Sequence, residues 1–150
     1  MLQTSQRPSW MGILAKAPLS LLEDRIRPLE PFPAYDFLRP PEIGLAMVRG
    51  RTGGTGSVFN LGEITLTRCV VQMQSQPPLQ GFGFVKGRSH RHAELAAVCD
   101  ALLQHPDWCE TIQTQVIEPL KAAALQDHDT QQRHTAATQV NFFTLARGES

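Results

Sequence analysis

The sequence carries no net charge, because among its 150 residues fourteen Lys and Arg balance fourteen Asp and Glu. That excludes the simplest nucleic-acid binder, whose affinity rests on a large basic excess. No apolar run approaches the ~18 residues that span a bilayer, so no membrane-spanning helix is expected. The opening MLQTSQRPSWMGILAKAPL lacks a basic stretch leading into a sustained apolar one, and no secretory signal is expected. Cysteine is scarce. Cys69, Cys99 and Cys109 are an odd number with no CxxC pair, which points to a reduced, cytoplasmic chain. What is present is 41% hydrophobic and 19% charged residues, enough for one packed domain.

The zero balance hides an uneven distribution. Between Arg49 and Arg91 lie six basic residues (Arg49, Arg51, Arg68, Lys86, Arg88, Arg91) and one acidic, Glu63. From residue 101 to 146 the sign reverses, with Lys121 and Arg133 against Asp107, Glu110, Glu118, Asp127 and Asp129. The basic segment suits a small anion, a pairing of the chain's own halves, or protein neighbours. Near-zero net charge also lowers the solubility of a free species, an expectation of life in a complex.

Periodicity orders the chain as helices, strands, helices. Ser9 is read as an N-cap before Trp10, Ile13, Leu14 and Ala17, which repeat on one helix face. Pro18 interrupts and biases Ala17 out of the helical region. A second helix then runs from Leu19 to Arg27 and buries Leu19, Leu22 and Ile26. Residues 28–41 hold five prolines and read as an extended connection, with a short strand at 34–38. Strands are expected over 43–49, 63–74 and 81–86, with 51–56 a strong break and 76–80 a turn. From Ser89 the pattern is helical again, with Leu95, Val98, Cys99, Leu102 and Leu103 on one face until His105-Pro106. Further helices are expected over 110–125 and 131–145, separated by a polar link at 126–132. The expected fold is α+β: a single domain with a small antiparallel sheet over about residues 43–87, flanked by N-terminal (1–28) and C-terminal (89–147) helices.

Three places have side chains suited to chemistry. The turn Arg49-Gly-Arg-Thr-Gly-Gly-Thr-Gly56 sets Gly53, Gly54, Thr55 and Gly56 beside Arg49 and Arg51. Glycine lets backbone amides approach an anion, and arginine grips phosphate-like oxygens in a fork. No GK[ST] follows and the GxGxxG spacing is missing, so a hairpin tip whose glycines only supply positive φ is the competing reading. Arg68 shares strand parity with Ile64 and Leu66. Either it is paired at the mouth of a cavity, or a bulge near Thr67 turns it to solvent. At Lys86-Gly-Arg-Ser-His-Arg-His-Ala-Glu94 a strand gives way to a helix capped by Ser89. There Arg88 and the first-turn amides suit an anion, and His92 and Glu94 are acid–base side chains. Two residues apart on a helix, they do not face each other. A capped, solvated helix start is the competing reading, and no metal site is expected, since HxH supplies only two ligands. Cys69 and Cys99 look like core residues, and a Cys99–His92 nucleophilic pair is a third reading. Asn141-Phe-Phe-Thr-Leu145 places Phe142 and Phe143 side by side, one for the core and one for a partner.

In order, the segments form a more specific pattern. It comprises Trp10-Met11 with Leu14-Ala15, Arg39-Pro-Pro-Glu-Ile-Gly-Leu45, Val48-Arg-Gly-Arg-Thr-Gly-Gly-Thr-Gly56 and Phe59-Asn-Leu-Gly-Glu63 with Thr67-Arg68. Then follow Gly87-Arg88 with His92-Ala-Glu94, Asp100-Ala-Leu-Leu-Gln104, Val116-Ile-Glu-Pro-Leu120 and Val140-Asn-Phe-Phe-Thr-Leu-Ala-Arg-Gly148. The series resembles the PhnG family, a subunit of the bacterial carbon–phosphorus lyase machinery, over nearly the whole chain. One departure is Asn141, where an aspartate is common, which puts an ion-pair role there in doubt.

The resemblance implies a cytoplasmic core complex with PhnH, PhnI and PhnJ proteins and the ATP-binding-cassette-like PhnL and PhnK. It implies no nucleic acid, no membrane, and no cofactor held by this chain alone. ATP, with Mg, is the expected co-substrate: a phosphonate displaces adenine at ribose C1 to give a ribose 1-phosphonate 5-triphosphate. The family's radical step needs an iron–sulfur cluster, which three scattered cysteines do not hold, so that step falls to a partner. Arg49, Arg51, Gly53 to Gly56, Arg68 and Arg88 are the candidate anion clamps, His92 and Glu94 the candidate proton carriers, and Pro119, Phe142 and Phe143 the candidate interface residues. The alternative is a purely structural assembly subunit that contributes to no ligand site.

Overall fold

Proline sets the first break in the chain. In the computed structural model, which describes residues 6–138, helix α1 (Arg7–Lys16) stops because Ala17 is extended (φ −62°, ψ 144°) ahead of Pro18, and α2 (Leu19–Ile26) starts directly afterwards. Ser9 is not the cap. The helix begins two residues earlier, with Pro8 in its first turn and the Ser9 amide donating to the Gln6 carbonyl at 3.0 Å. Proline costs little there, where amides have no helical acceptor. Trp10, Leu14, Leu22 and Ile26 are buried, whereas Leu19 is only partly so.

The sheet starts earlier than the prolines suggest. Strand β1 (Tyr35–Arg51) runs straight through Pro40 and Pro41, so the sheet spans residues 35–86. It pairs antiparallel with β2 (Val58–Met73), which pairs with β3 (Leu79–Lys86), in the order β1-β2-β3. Register shifts between Phe37 and Arg39 and between Arg39 and Glu42 place the extra residues on β1. An edge strand tolerates proline at such irregularities because the missing amide has no neighbour to serve.

Helix α3 (His90–Leu103) is the axis of the core, with eleven of its fourteen residues buried. It lies on the sheet face formed by Thr67, Cys69, Val71, Met73 and Val85, all buried. Glycine allows the close approach: a Cβ on Gly83 would collide with the Ala93 carbonyl, and one on Gly81 with the Ala97 carbonyl. Ala93, Ala97 and Ala101, four apart, form the facing stripe. Ser89 caps α3, its hydroxyl accepting from the His92 amide at 3.4 Å.

Around α3 the core is completed by α1, α2 and the C-terminal helices, with Ile112, Val116, Ile117 and Leu120 buried. The chain from α4 (Pro106–Ile112) through a π-turn (Gln113–Ile117) into α5 (Glu118–Ala137) is helical without a gap. The expected link at 126–132 is thus helix. The widened π-turn sits just before Pro119, whose ring crowds the carbonyl four residues back. Beyond Leu120 no residue of α5 is buried.

β1 and β2 extend together past the end of β3. β3 ends where Lys86 pairs with Leu66, but β1 and β2 continue together until Arg51 faces Val58. That is a two-stranded ribbon which, at ~3.3 Å per residue, runs ~26 Å beyond the end of β3.

Candidate functional site

The ribbon's tip is the glycine-rich turn. Gly53 (φ 60°) and Gly54 (φ 82°) occupy left-handed conformations that other residues adopt only at a cost. The turn closes on itself: the Gly56 amide donates to the Thr52 carbonyl at 2.7 Å, the Thr52 amide to the Ser57 carbonyl at 3.3 Å, and Arg51 Nη1 to the Gly56 carbonyl at 3.4 Å. The glycines therefore serve turn geometry, and the Gly56 amide is engaged. Thr55 is exposed at the same tip. Arg49 and Arg51 are exposed, and among the described residues neither has a carboxylate within ion-pair distance.

Arg68 lies at the ribbon's base and is ion-paired. Its Nε donates to Glu42 Oε1 at 2.6 Å, and Arg39 Nη1 donates to the same oxygen at 2.9 Å. The hydrogen bond from Arg68, with the two positive charges, holds the Glu42 carboxyl below the usual glutamate range. Arg68 does share a face with Ile64 and Leu66, but that is the sheet's open face, and β2 pairs with β3 in unbroken register from Leu66 to Met73. It is therefore solvent-facing without a bulge near Thr67. Arg88 is exposed in the β3–α3 connection. Counted along β2 from Thr65, whose carbonyl accepts from the Gly87 amide next to Arg88, the pairing positions of Arg49 and Arg51 at Asn60 and Val58 lie ~17–23 Å away at ~3.3 Å per residue, and the chain alone does not bring the cations to one site.

His92 and Glu94 face different neighbours. His92 is buried and its Nε2 bonds the Leu14 carbonyl at 2.7 Å, tying α3 to α1. Glu94 accepts from the Tyr35 hydroxyl at 2.7 Å and from Arg91 Nη1 at 3.3 Å. Burial pushes the Tyr35 phenol up to about 12, with the Glu94 carboxylate adding to the rise. Burial likewise pushes the thiols up, Cys69 to about 11 and Cys99 to about 12. A thiol held neutral is a poor nucleophile, so Cys99 is a core residue.

Asp100, which opens the segment Asp100-Ala-Leu-Leu-Gln104 but was assigned no role from the sequence, is the most heavily bonded side chain of the core. It is fully buried. Oδ1 accepts from Arg7 Nε at 3.1 Å and Trp10 Nε1 at 2.9 Å, while Oδ2 accepts from Arg7 Nη2 at 2.6 Å and the Phe82 amide at 2.9 Å. A lone acid inside the apolar run AAVCDALL was the available signal, since a buried carboxylate must be paired. Arg7 also stacks over the Phe82 ring, 5.3 Å from its centroid.

Other candidates lie elsewhere. Pro119 is half-buried beside the core residues Val116, Ile117 and Leu120, whereas Phe142 and Phe143 lie outside the described residues. A groove of about 940 Å³ opens between the β2–β3 turn and α4, lined in part by Pro77, Leu79, His105 and Cys109. None of the sequence-derived candidates lines it. Among the described residues no group of three or more His, Cys, Asp or Glu is placed to hold a metal ion, and no helix is long and apolar enough to cross a membrane.

Fold and site together define a small α+β domain with a helical core, a projecting basic ribbon, and candidate residues that do not converge. The family model described as phosphonate metabolism protein PhnG matches residues 5–148. The chain is also 40% identical over 149 residues to the alpha-D-ribose 1-methylphosphonate 5-triphosphate synthase subunit PhnG of Rhizobium meliloti (strain 1021), covering 97% of this chain and 91% of that protein. The chain belongs to the PhnG family of phosphonate metabolism proteins.

Proposed function

We propose that this chain is a subunit of a multi-subunit transferase in which a phosphonate displaces adenine from ATP. A phosphonate oxygen attacks ribose C1, the C1–O bond forms as the C1–N bond to adenine breaks, and adenine departs with a proton. The product is a ribose 1-phosphonate 5-triphosphate. The carrying observation is the 40% identity, over almost the full length of both chains, to a subunit of a synthase named for such a product. The geometry fits a shared site. Clamping a triphosphate takes several donors within ~3 Å of its oxygens, and here Arg88 near the ribbon's base and Arg49 and Arg51 towards its tip are spread over ~17–23 Å of strand.

The proposed partners are the PhnH, PhnI and PhnJ proteins with PhnL and PhnK, in the cytoplasm, with Mg-ATP as co-substrate. Within that complex, Arg49 and Arg51 are the free cations and Arg88 a third, whereas Arg68 is engaged by Glu42. The test is co-expression of tagged chain with PhnH, PhnI and PhnJ, followed by native mass and adenine release from ATP and methylphosphonate. A stoichiometric complex whose release requires this chain supports the reading; a monomer that captures none of them refutes it. Arg49→Ala/Arg51→Ala then separates roles. Assembly kept with adenine release lost makes the tip part of the ligand site, and failed assembly makes it an interface.

A further inference from the structure

A ribbon with one wet face alternates apolar and polar residues, whereas strands apolar on both sides belong to sheets covered on both faces. Along β1 this ribbon is of the second kind, with residues 43–48 all apolar or glycine although β2 sets Thr65 and Glu63 beside them, and nothing in the described chain covers it. On one face Leu45 and Met47 are 66% and 52% exposed, opposite Thr65 and Glu63. On the other, Ala46 lies opposite Ile64, and Leu61 reaches over Gly50, 64% exposed itself. A free two-stranded ribbon is marginally stable in water, so an uncovered, apolar, ~26 Å example implies an occupant.

We propose that the ribbon is a docking arm inserted into a cleft of a different subunit, which covers both faces and places acidic groups against Arg49 and Arg51. The proposal rests on the multi-subunit reading above. Three observations select this occupant. A second copy stacked ribbon on ribbon covers one face and leaves the other bare. Arg49 and Arg51 lie on the ribbon face of Leu45 and Met47, opposite Asn60 and Val58, so a partner closing on that face meets two unneutralised cations. The size is sufficient: a two-stranded ribbon ~10 Å wide and ~26 Å long offers on the order of 1,000 Å² over its faces and edges, and a stable interface takes about 800 Å² from each partner.

The experiment uses the co-expressed complex. A photo-crosslinking residue, p-benzoylphenylalanine, is placed at Met47 on one face and at Ile64 on the other. Adducts from both positions to one and the same partner polypeptide are expected. Adducts to a second copy, adducts to residues 139–150 of the same chain, adducts from one face only, or none from an assembled complex each overturn the proposal while leaving the subunit reading intact. Failure of the unmodified chain to assemble at all overturns both. In parallel, Leu45→Asp should lower recovery of the complex at least tenfold with an unchanged circular dichroism spectrum of the free chain, against an unaffected Ser20→Asp on the exposed side of α2. Full recovery with Leu45→Asp overturns the proposal.

Discussion

Asp100→Asn replaces a buried carboxylate by a side chain of the same shape, so its effect isolates charge and hydrogen bonding from packing. In the native fold four donors converge on the two oxygens: two nitrogens of Arg7, the Trp10 indole and the Phe82 amide. An amide offers one acceptor oxygen and one NH₂ group. Whichever way it turns, its NH₂ meets two of these donors. The indole or the Phe82 amide then loses its acceptor, at about 1–3 kcal/mol for a buried group. The Arg7 guanidinium loses its counter-ion, though with 27% of its side chain exposed it recovers some hydration. Breaking a buried pair by removing one charge costs about 3–5 kcal/mol, and the exposure of Arg7 sets the expectation near the lower end, about 3 kcal/mol. Domains of this size have about 5–15 kcal/mol in total. Urea unfolding followed by circular dichroism should show the midpoint fall by roughly 1.5 M, taking a slope of about 2 kcal/mol/M. Arg7→Met and the double variant complete a cycle, and the double should be less destabilised than the sum of the singles. A stability change within about 0.5 kcal/mol for Asp100→Asn would refute the claim that this carboxylate fastens α1 to α3 and β3.

Gly83→Ala puts a methyl into the Ala93 carbonyl and should destabilise by several kcal/mol, on the order of the worst overpacking substitutions; an unchanged melting temperature would contradict the close packing of α3 on β3. The chain's single tyrosine is Tyr35, so an ultraviolet titration at 295 nm reads it alone, and its midpoint should lie near about 12 instead of 10. Because the folded state keeps that proton longer than the unfolded one, stability should fall as pH rises from 10 towards 12, and Tyr35→Phe should flatten the fall. His92→Ala removes a buried bond to the Leu14 carbonyl and should cost about 1–3 kcal/mol, measured by the same urea unfolding.

How much was legible depends on the range over which the physics acts. Pro18, the Ser89 cap and the apolar stripe of α3 act within a few residues, and each stands where periodicity put it. The start of β1 was hidden because Pro40 and Pro41 are strand breakers by local rules, and only the edge position and its register shifts make them harmless. The polar stretch 126–132 has no apolar stripe to announce a helix, yet it continues one that Leu120 anchors. Arg68 was placed on the correct face, but the sequence cannot say which apolar face is the core. That depends on where α3 docks, and the Gly81 and Gly83 contacts decide it.

The same logic explains why the candidate site was only partly legible. His92 and Glu94, two apart on a helix, were expected to face different ways, but their partners, the Leu14 carbonyl and the Tyr35 hydroxyl, come from distant segments that no local rule names. Arg49, Arg51 and Arg68 were joined by sign alone, and strand length separates them. What survives is a division of labour along one hairpin. At its base, Arg68 and Arg39 share the Glu42 carboxylate, so both cations there have an ion-pair partner within the chain. At its tip, Arg49 and Arg51 have no carboxylate partner among the described residues, and no described residue covers the exposed apolar side chains of the strands behind them. A free monomer gains no stability from that arrangement, since exposed apolar strands invite association. The arrangement is stable when another surface supplies both the apolar walls and the negative charge, and that surface is where the chain's own chemistry is to be sought.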